Sequence, residues 1–200
     1  VSDWSSDVCS SDLLLPNGPQ PESDGARDKF NQFVADTDIT LVYVTGRDRR
    51  LVEDAVNEYR LPLPSYVIAD VGTTIYQIEQ GRWNQLEAWQ QAIAPDWQGI
   101  SHGDMHLLFS GLPHLNLQEA SKQNTYKLSY YLSLGADHEA LMADMHAILV
   151  NHHVKASLIW STDEQAGTGL LDVVPASASK YHAIEYLMEL LGFDLANTIF

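Results

Sequence analysis

Apolar residues recur along the chain with a spacing that changes from helical to strand-like and back. Residues 26–35 place apolar side chains at helical spacing, which predicts a helix. Residues 39–44 are apolar almost throughout, which is typical of a strand buried on both faces of a parallel sheet. A helical pattern over 48–61 and a short strand at 66–69 follow. This order predicts a β-α-β unit with a right-handed crossover.

The stretch 77–168 has a different character, because it is rich in Trp, His and Gln and contains many short elements. Its clearest patterns predict a strand at 127–132, a helix at 138–150 and a strand at 154–160. Such a mixture predicts a separate α+β insert. The chain then returns to the core at 169–175, before a helix over about 179–191. The predicted architecture is therefore a parallel α/β core interrupted by an inserted domain.

The first twelve residues, VSDWSSDVCSSD, repeat Ser-Asp pairs and lack a hydrophobic period. They are either a disordered tail or sequence foreign to the protein. We favour the second interpretation, so residues 1–12 are predicted to be a non-native tail. The predicted core then comprises residues 13–76 and 169–200, and the predicted cap domain comprises residues 77–168.

Composition limits the class of protein and of partner. A single cysteine, Cys9, excludes an intrachain disulfide and a cysteine-rich zinc site, which makes the cytoplasm the expected compartment. No apolar run approaches the ~20 residues that span a bilayer, and the start does not have the pattern of a signal peptide. The net charge of −16 argues against binding to nucleic acids or anionic membranes. A phosphorylated small molecule remains possible, since one or two local cations and backbone N–H groups suffice to bind it.

Three candidates for phosphate chemistry stand out. Thr45-Gly46-Arg47 follows a buried strand at the sheet edge where α/β proteins bind ligands, although Thr45 could simply cap the next helix. Lys180 lies in the first turn of a predicted helix, where the helix dipole disfavours a cation, so it is either a phosphate-neutralising group or an ordinary surface lysine. Gly72, in the turn 70–73, indicates either a sharp loop near the site or a hairpin turn.

Two further patterns are weaker. His102, Asp104 and His106 alternate, which on a strand face could bind a metal, but nothing else in the segment supports this. Three tryptophans that are close in sequence could pack the insert or stack on a sugar; they are Trp83, Trp89 and Trp97.

Taken in order, LVYVTGR, VIADVGTTIY, KLSYYL and LLDVVPASASKYHAIEYLMELLGF resemble the haloacid dehalogenase superfamily over residues 14–200. A strand-end TGR followed by LDVVP, Ser-Lys and a helix resembles the branch with a large cap domain. Within that branch the chain is most similar to sucrose-phosphate phosphatases. The resemblance implies an α/β fold with a Rossmann-like parallel-sheet core and an inserted α+β cap.

The resemblance also implies roles for individual residues. Thr45 matches the second family motif, in which the hydroxyl and the adjacent backbone at Gly46 hold the phosphoryl group. Lys180 matches the third motif, in which the ammonium offsets negative charge. Lys127 would face the site and contact the sugar phosphate. Two residues with less defined roles, Arg47 and Asp172, would flank the site.

Two family motifs are absent from the printed sequence. The first, Asp-x-Asp-x-Thr, would align with Cys9, Ser11 and Leu13, none of which is the required residue. The fourth, an acidic motif that holds Mg²⁺, would follow residue 200. No metal ligands are therefore predicted in this chain, Mg²⁺ is expected only for the intact parent protein, and the fragment itself is expected to be inactive.

The resemblance implies that the intact parent hydrolyses sucrose 6-phosphate to sucrose and phosphate. Alternatives within the same branch are phosphatases of glucosylglycerol phosphate or mannosylphosphoglycerate. An alternative of another class is a non-catalytic binding or regulatory module. The expected partner is a small sugar phosphate, with no nucleic acid and no membrane. The oligomeric state and a fusion to a synthase stay open.

Overall fold

The computed structural model describes residues 23–163 and 166–199. They divide into two compact units, here called the core unit (23–89 and 180–199) and the inserted unit (90–163 and 166–179). The predicted non-native tail, residues 1–12, lies outside the described residues. Over the two described ranges, no helix combines the length and apolarity needed to cross a bilayer.

The core unit contains one sheet of four strands in the order β1-β2-β3-β4. β1 and β2 run parallel with Val42 opposite Tyr66, which confirms the predicted β-α-β unit, whereas β3 and β4 continue the sheet as antiparallel strands. The elements are α1 (Ala26–Asp36), β1 (Val42–Val44), α2 (Arg49–Glu58), β2 (Tyr66–Ala69), β3 (Thr74–Glu79), β4 (Arg82–Gln85) and α6 (Lys180–Leu191).

Strand β2 forms the centre of this unit because all four of its residues are buried. Val67 and Ala69 belong to an apolar cluster with Val52 of α2. Since successive side chains in a strand point to opposite faces, Ile68 faces the other side, and α6 packs against β2. The continuous apolar run YVIA therefore reflects burial on both faces. The sequence predicted such burial for residues 39–44 instead, but β1 is only half-buried and Ile39 is exposed.

The inserted unit is an antiparallel sheet, ordered β5-β6-β8-β7, with helices on one face. Leu128, Tyr130 and Leu132 of β6 alternate into an apolar cluster with Met105 and Met145 of the helices. Its elements are α4 (His102–Leu108), β5 (Asn116–Leu117), β6 (Leu128–Leu132), α5 (His138–Asn151), β7 (Ala156–Asp163) and β8 (Thr168–Pro175), while α3 (Glu87–Ile93) crosses from the core unit.

The structure places both domain boundaries differently from the sequence prediction. Residues 77–89 stay with the core unit, because β3 and β4 form a hairpin that extends the core sheet. Residues 169–179 belong to the inserted unit, because β8 pairs with both β6 and β7. The run GLLDVVP is thus the inner strand of an antiparallel sheet, and the chain returns to the core unit only at Lys180.

A glycine in β8 makes room for a tryptophan on β7. A Cβ atom at Gly169 would lie 1.9 Å from Cη2 of Trp160, far inside van der Waals contact. Gly169 is buried, and the Trp160 ring also stacks on His138 with ring centroids 4.4 Å apart. The indole therefore lies across the backbone of β8 in space that any other residue would occupy.

We predict that Gly169→Ala lowers the free energy of unfolding by about 1–3 kcal/mol, the usual cost of overpacking a core. Urea denaturation would measure the change. Gly111→Ala is the matched control, since a Cβ there meets no atom within 4 Å and should shift stability by less than about 0.5 kcal/mol. A Gly169→Ala variant as stable as the control would contradict this packing.

Candidate functional site

The loop after β1 is fixed to the neighbouring strand by backbone hydrogen bonds. Thr45 is only 7% exposed, and its N–H donates to the carbonyl of Ile68 over 2.8 Å. The carbonyl of Arg47 accepts from the N–H of Asp70 over 3.0 Å. Because β1 and β2 are parallel, both loops leave the same sheet edge, where α/β proteins place their ligands.

The Thr45 hydroxyl is not a helix cap, so that alternative from the sequence is wrong. The cap of α2 is Asp48, whose Oδ1 accepts from the N–H of Leu51 over 3.0 Å. Thr45 Oγ1 instead accepts from the N–H of Arg47 over 3.1 Å. This bond uses a lone pair of the hydroxyl and leaves its proton to be donated to another acceptor.

The turn after β2 has an unusual backbone. Asp70 and Val71 have φ angles of 51° and 56°, and Gly72 follows with 104°. A left-handed conformation is a real outlier for a β-branched valine, and such strain tends to occur at functional sites. The turn joins the antiparallel strands β2 and β3, which confirms the hairpin interpretation, and it also bonds to the Thr45 loop. That a ligand site lies beside it stays a prediction.

Gly46 lies close to this turn. A Cβ atom at position 46 would approach Cγ1 of Val71 to 3.4 Å, the near limit of ordinary contact. Side chains larger than alanine would therefore press on the strained turn. Close approach of a ligand to the backbone at Gly46 stays a prediction.

Charged groups surround the loops. Asp70 is only 6% exposed, and its carboxylate helps to raise the pKa of Tyr76, whose own burial is the larger cause. The Arg49 guanidinium acts in the opposite direction on that pKa, and lies 5.9 Å from the centroid of the Tyr76 ring. Tyr76 is thus close enough to both a buried carboxyl group and a guanidinium for each to act on its pKa.

Lys180 is the first residue of α6 and is half-buried, as the sequence placed it. The helix packs against β2 and against the turn 70–72. Trp89 links the same two elements, since its indole N–H donates to the carbonyl of Gly72 over 3.0 Å and its ring lies 5.0 Å from that of Tyr186 on α6. That the Lys180 ammonium meets the Thr45 hydroxyl stays a prediction.

Lys127 and Asp172, the other predicted ligands, lie in the inserted unit. The Lys127 ammonium donates to the carbonyl of Lys122 over 2.8 Å and to Oγ of Ser129 over 2.7 Å, and lies 3.5 Å from the Asp172 carboxylate. Ser129 Oγ also donates to Asp172 over 2.5 Å. These side chains form a polar cluster, here called the Lys127 cluster, on the sheet face opposite the helices.

The Lys127 ammonium has three N–H groups and three nearby acceptors, so the cluster is held within the inserted unit itself. Contact of Lys127 or Asp172 with a sugar phosphate stays a prediction. Sequence analysis missed Ser129, the fully buried member of the cluster. The available signal was strand alternation, which puts positions 127 and 129 on one face.

The described residues do not fit a magnesium site. Neither the core unit nor the inserted unit, over 23–163 and 166–199, contains three or more His, Cys, Asp or Glu side chains grouped to hold a metal. The alternating His102, Asp104 and His106 lie on helix α4 instead of a strand. Two of these side chains bond elsewhere: His102 to Gln123 over 3.2 Å and His106 to Tyr130 over 2.8 Å.

Comparison with known proteins identifies the family. The sucrose-6F-phosphate phosphohydrolase family profile matches residues 11–200. The chain belongs to this family. The fold agrees, since a crystal structure of the sucrose-phosphatase from Synechocystis with sucrose and phosphate superposes with a TM-score of 0.72 at 22% identity, covering 87% of this chain and 67% of that one. This confirms the predicted haloacid dehalogenase-like α/β fold.

Two further proteins are similar to this chain in sequence. A haloacid dehalogenase-like hydrolase of Nitrosococcus oceani is 46% identical over 187 residues, which is 94% of this chain and 50% of that protein. A mannosylfructose-phosphate phosphatase of Agrobacterium fabrum is 27% identical over 177 residues, 86% of this chain and 65% of that protein. The chain thus spans about half the length of the first of these relatives.

We predict that Lys127→Met lowers the free energy of unfolding by about 3–5 kcal/mol, because it leaves the Asp172 carboxylate without its cation in a largely buried site. Urea denaturation would measure this. Arg50→Met is the matched control: its ion pair with Asp54 is 3.6 Å long with side chains 66% and 61% exposed. Such surface pairs contribute about 0–1 kcal/mol. Equal losses in the two variants would contradict a structural role for the Lys127 cluster.

Proposed function

We propose that this chain carries the phosphate-binding edge and the sugar-contacting insert of a phosphatase that hydrolyses sucrose 6-phosphate to sucrose and phosphate. The family match over residues 11–200 is the observation that carries the proposal. The Thr45 loop at the sheet edge supports it, because backbone hydrogen bonds fix the loop and orient the Thr45 hydroxyl, whose proton could be donated to a phosphoryl oxygen. The cytoplasmic location expected from the single cysteine stays a prediction.

Thr45 would bind a phosphoryl oxygen with its hydroxyl proton. The Arg47 N–H already occupies a lone pair of that oxygen, so the hydroxyl is oriented before a ligand arrives. A donor fixed in advance stabilises developing negative charge without reorganisation during the reaction. Gly46 would let the phosphoryl group approach the backbone next to it.

Lys180 would supply the positive charge. The net charge of the chain is −16, so an anionic substrate needs a local cation to offset the surrounding field. A lysine at the start of α6 works against the helix dipole, a cost that a bound phosphate would remove. The attachment of α6 to the turn 70–72, which also holds the Thr45 loop, supports this assignment.

The Lys127 cluster would recognise the sugar. Asp172 would present an acceptor whose position Ser129 fixes, and Lys127 would exchange its longest contact, the 3.5 Å one to Asp172, for a sugar oxygen. Fixed polar pairs of this kind discriminate strongly between sugar hydroxyl patterns, because a mismatched substrate leaves buried polar groups unpaired. The choice of substrate is therefore assigned to the inserted unit.

The 200-residue chain would bind the substrate without turning it over. Positions 9 and 11, where the family resemblance places the aspartate nucleophile and the acid/base, are Cys and Ser. The divalent metal that the resemblance implies would neutralise phosphoryl charge, and its ligands are not among the described residues. The form to assay for turnover is a repaired protein that carries Cys9→Asp, Ser11→Asp and Leu13→Thr and is joined to an acidic fourth motif after residue 200.

We expect the repaired protein to prefer sucrose 6-phosphate in a phosphate-release assay over mannosylfructose phosphate, glucosylglycerol phosphate and mannosylphosphoglycerate. Mannosylfructose phosphate is the strongest competitor, since one relative is a phosphatase of that substrate. The unrepaired chain is the control and should release no phosphate. A higher kcat/KM on any competitor would overturn the sucrose assignment, and no release from any substrate would favour a non-catalytic module.

We predict that Thr45→Val in the repaired protein lowers kcat by about 10²–10³-fold, the usual effect of removing one donor to developing charge, whereas Thr45→Ser retains most activity. Lys180→Met should lower kcat by a similar factor, and Lys180→Arg should lower it less. Lys29→Met, which replaces an exposed lysine on α1, is the control and should have the same kcat as the repaired protein. Wild-type kcat in both Thr45→Val and Lys180→Met would refute a shared phosphoryl site.

A further inference from the structure

Strand β5 is only 2 residues long, so the outer edge of β6 needs other hydrogen-bond partners where β5 ends. The pairing stops at Leu117 opposite Tyr130, and Ser129 lies just beyond it. The Ser129 carbonyl accepts from the N–H of Gln118 over 2.9 Å, and the Ser129 N–H donates to Oε1 of Gln123 over 2.8 Å. A side chain thus takes the place of a neighbouring strand at this position.

The Gln123 amide uses its full hydrogen-bonding capacity. Its Nε2 donates to the carbonyls of Gln118 and Ser129 over 3.1 Å and 2.9 Å. Its Oε1 accepts from the Ser129 N–H and lies 3.2 Å from Nε2 of His102. Because carbonyls can only accept and the Ser129 N–H can only donate, the network fixes the orientation of the amide and makes His102 Nε2 the donor. Gln123 therefore pairs with both backbone groups of Ser129, as a peptide group of an adjacent strand would.

The hydrogen bonds of Gln123 bear directly on the Lys127 cluster. Both backbone groups of Ser129 face away from β8, so Ser129 and Asp172 form the closer, non-hydrogen-bonded type of antiparallel pair. Their side chains accordingly meet, with Ser129 Oγ donating to Oδ1 of Asp172 over 2.5 Å. Ser129 Oγ also accepts from the Lys127 ammonium over 2.7 Å. A shift of the β6 backbone at Ser129 would therefore move a partner of both charged groups.

Gln123 also fixes a second partner of Lys127. The preceding residue, Lys122, has a carbonyl that accepts from the Lys127 ammonium over 2.8 Å. Lys122 ends a short helical turn (Ala120–Lys122), and the Gln123 side chain attaches this turn to β6. With the Lys122 carbonyl and Ser129 Oγ held in place, the third N–H of the ammonium is left for Asp172, 3.5 Å away.

We propose that Gln123 is a positioning residue for sugar recognition: it touches no substrate and holds the Lys127 cluster in the arrangement that a sugar hydroxyl would meet. The inference rests on the sugar-binding role proposed above for that cluster. Groups that are fixed before binding lose less conformational freedom when a ligand arrives, so loosening their support weakens binding without removing any contact to the ligand. Gln123 and the cluster all lie in the inserted unit, so we expect phosphate binding by the Thr45 loop not to depend on Gln123.

The test compares two ligands on the 200-residue chain by isothermal titration calorimetry. Gln123→Met keeps the length of the side chain and removes its hydrogen bonds. We expect the Kd for sucrose 6-phosphate to rise about tenfold, a loss that one or two hydrogen bonds account for, while the Kd for inorganic phosphate changes by less than about twofold. Gln91→Met is the matched control, since Gln91 is exposed on α3 within the inserted unit, and it should change neither Kd.

A second readout follows the geometry of the cluster without any ligand. A buried ammonium with fixed partners exchanges its protons slowly, so Lys127 should give a resolved ¹⁵N–¹H signal in the labelled chain, assigned from its loss in Lys127→Arg. We expect Gln123→Met to shift or broaden this signal and Gln91→Met to leave it unchanged. A variant that is merely less stable would, under native conditions, keep both the ammonium signal and the affinity for sucrose 6-phosphate.

The outcomes separate this inference from the proposed function. Equal affinities for sucrose 6-phosphate in Gln123→Met and Gln91→Met would overturn the role of Gln123 alone, and so would a parallel loss of phosphate affinity. Failure of the unsubstituted chain to bind sucrose 6-phosphate would instead refute the proposed function, and this inference with it. If Gln123→Met does not fold, His102→Phe decides, because it removes only the donor to Gln123 Oε1. We then expect a rise of about threefold in the Kd for sucrose 6-phosphate, and an unchanged Kd would contradict the inference.

Discussion

Two backbone hydrogen bonds between neighbouring loops fix the geometry of the candidate site. The bonds from Thr45 to Ile68 and from Asp70 to Arg47 hold the two loops at the sheet edge in a single arrangement. The turn beginning at Asp70 is strained, and strain of about 1–3 kcal/mol per residue persists only where the surroundings enforce it. Here the enforcement comes from Trp89, which bonds to the turn and contacts α6. One turn thus aligns the elements that carry both predicted phosphate ligands.

The inserted unit holds a charged side chain on a buried face of its sheet. Lys127 is only 5% exposed, and a cation there is tolerated only when its donors are satisfied. Ser129 and the Lys122 carbonyl provide neutral partners, and Asp172 provides the counter-charge. Such a cluster is costly to break, because removal of one partner leaves an uncompensated buried charge.

Sequence patterns predicted the elements better than their assignment to a unit. The apolar runs of β2 and β8 look alike, but β2 lies in a partly parallel sheet and β8 inside an antiparallel one. β2 is buried throughout, whereas β8 alternates half-buried and buried positions over residues 168–173, yet both appear as apolar runs in the sequence. Only strand pairing assigns each run to its sheet. The end of a strand indicates a ligand edge, which is why the sequence predicts Thr45, whereas strand alternation places Ser129 on the face of Lys127 but does not show its hydrogen bond to Asp172.

The packing of Trp160 over Gly169 has a consequence for how this family can vary. The two positions share one volume, because the indole fills the space where the glycine lacks a side chain. Relatives with any larger residue at position 169 should therefore carry a much smaller one at position 160, and the two should change together during divergence. A coupled pair of this kind would mark the register of β7 against β8 even in distant homologues whose remaining sequence no longer aligns.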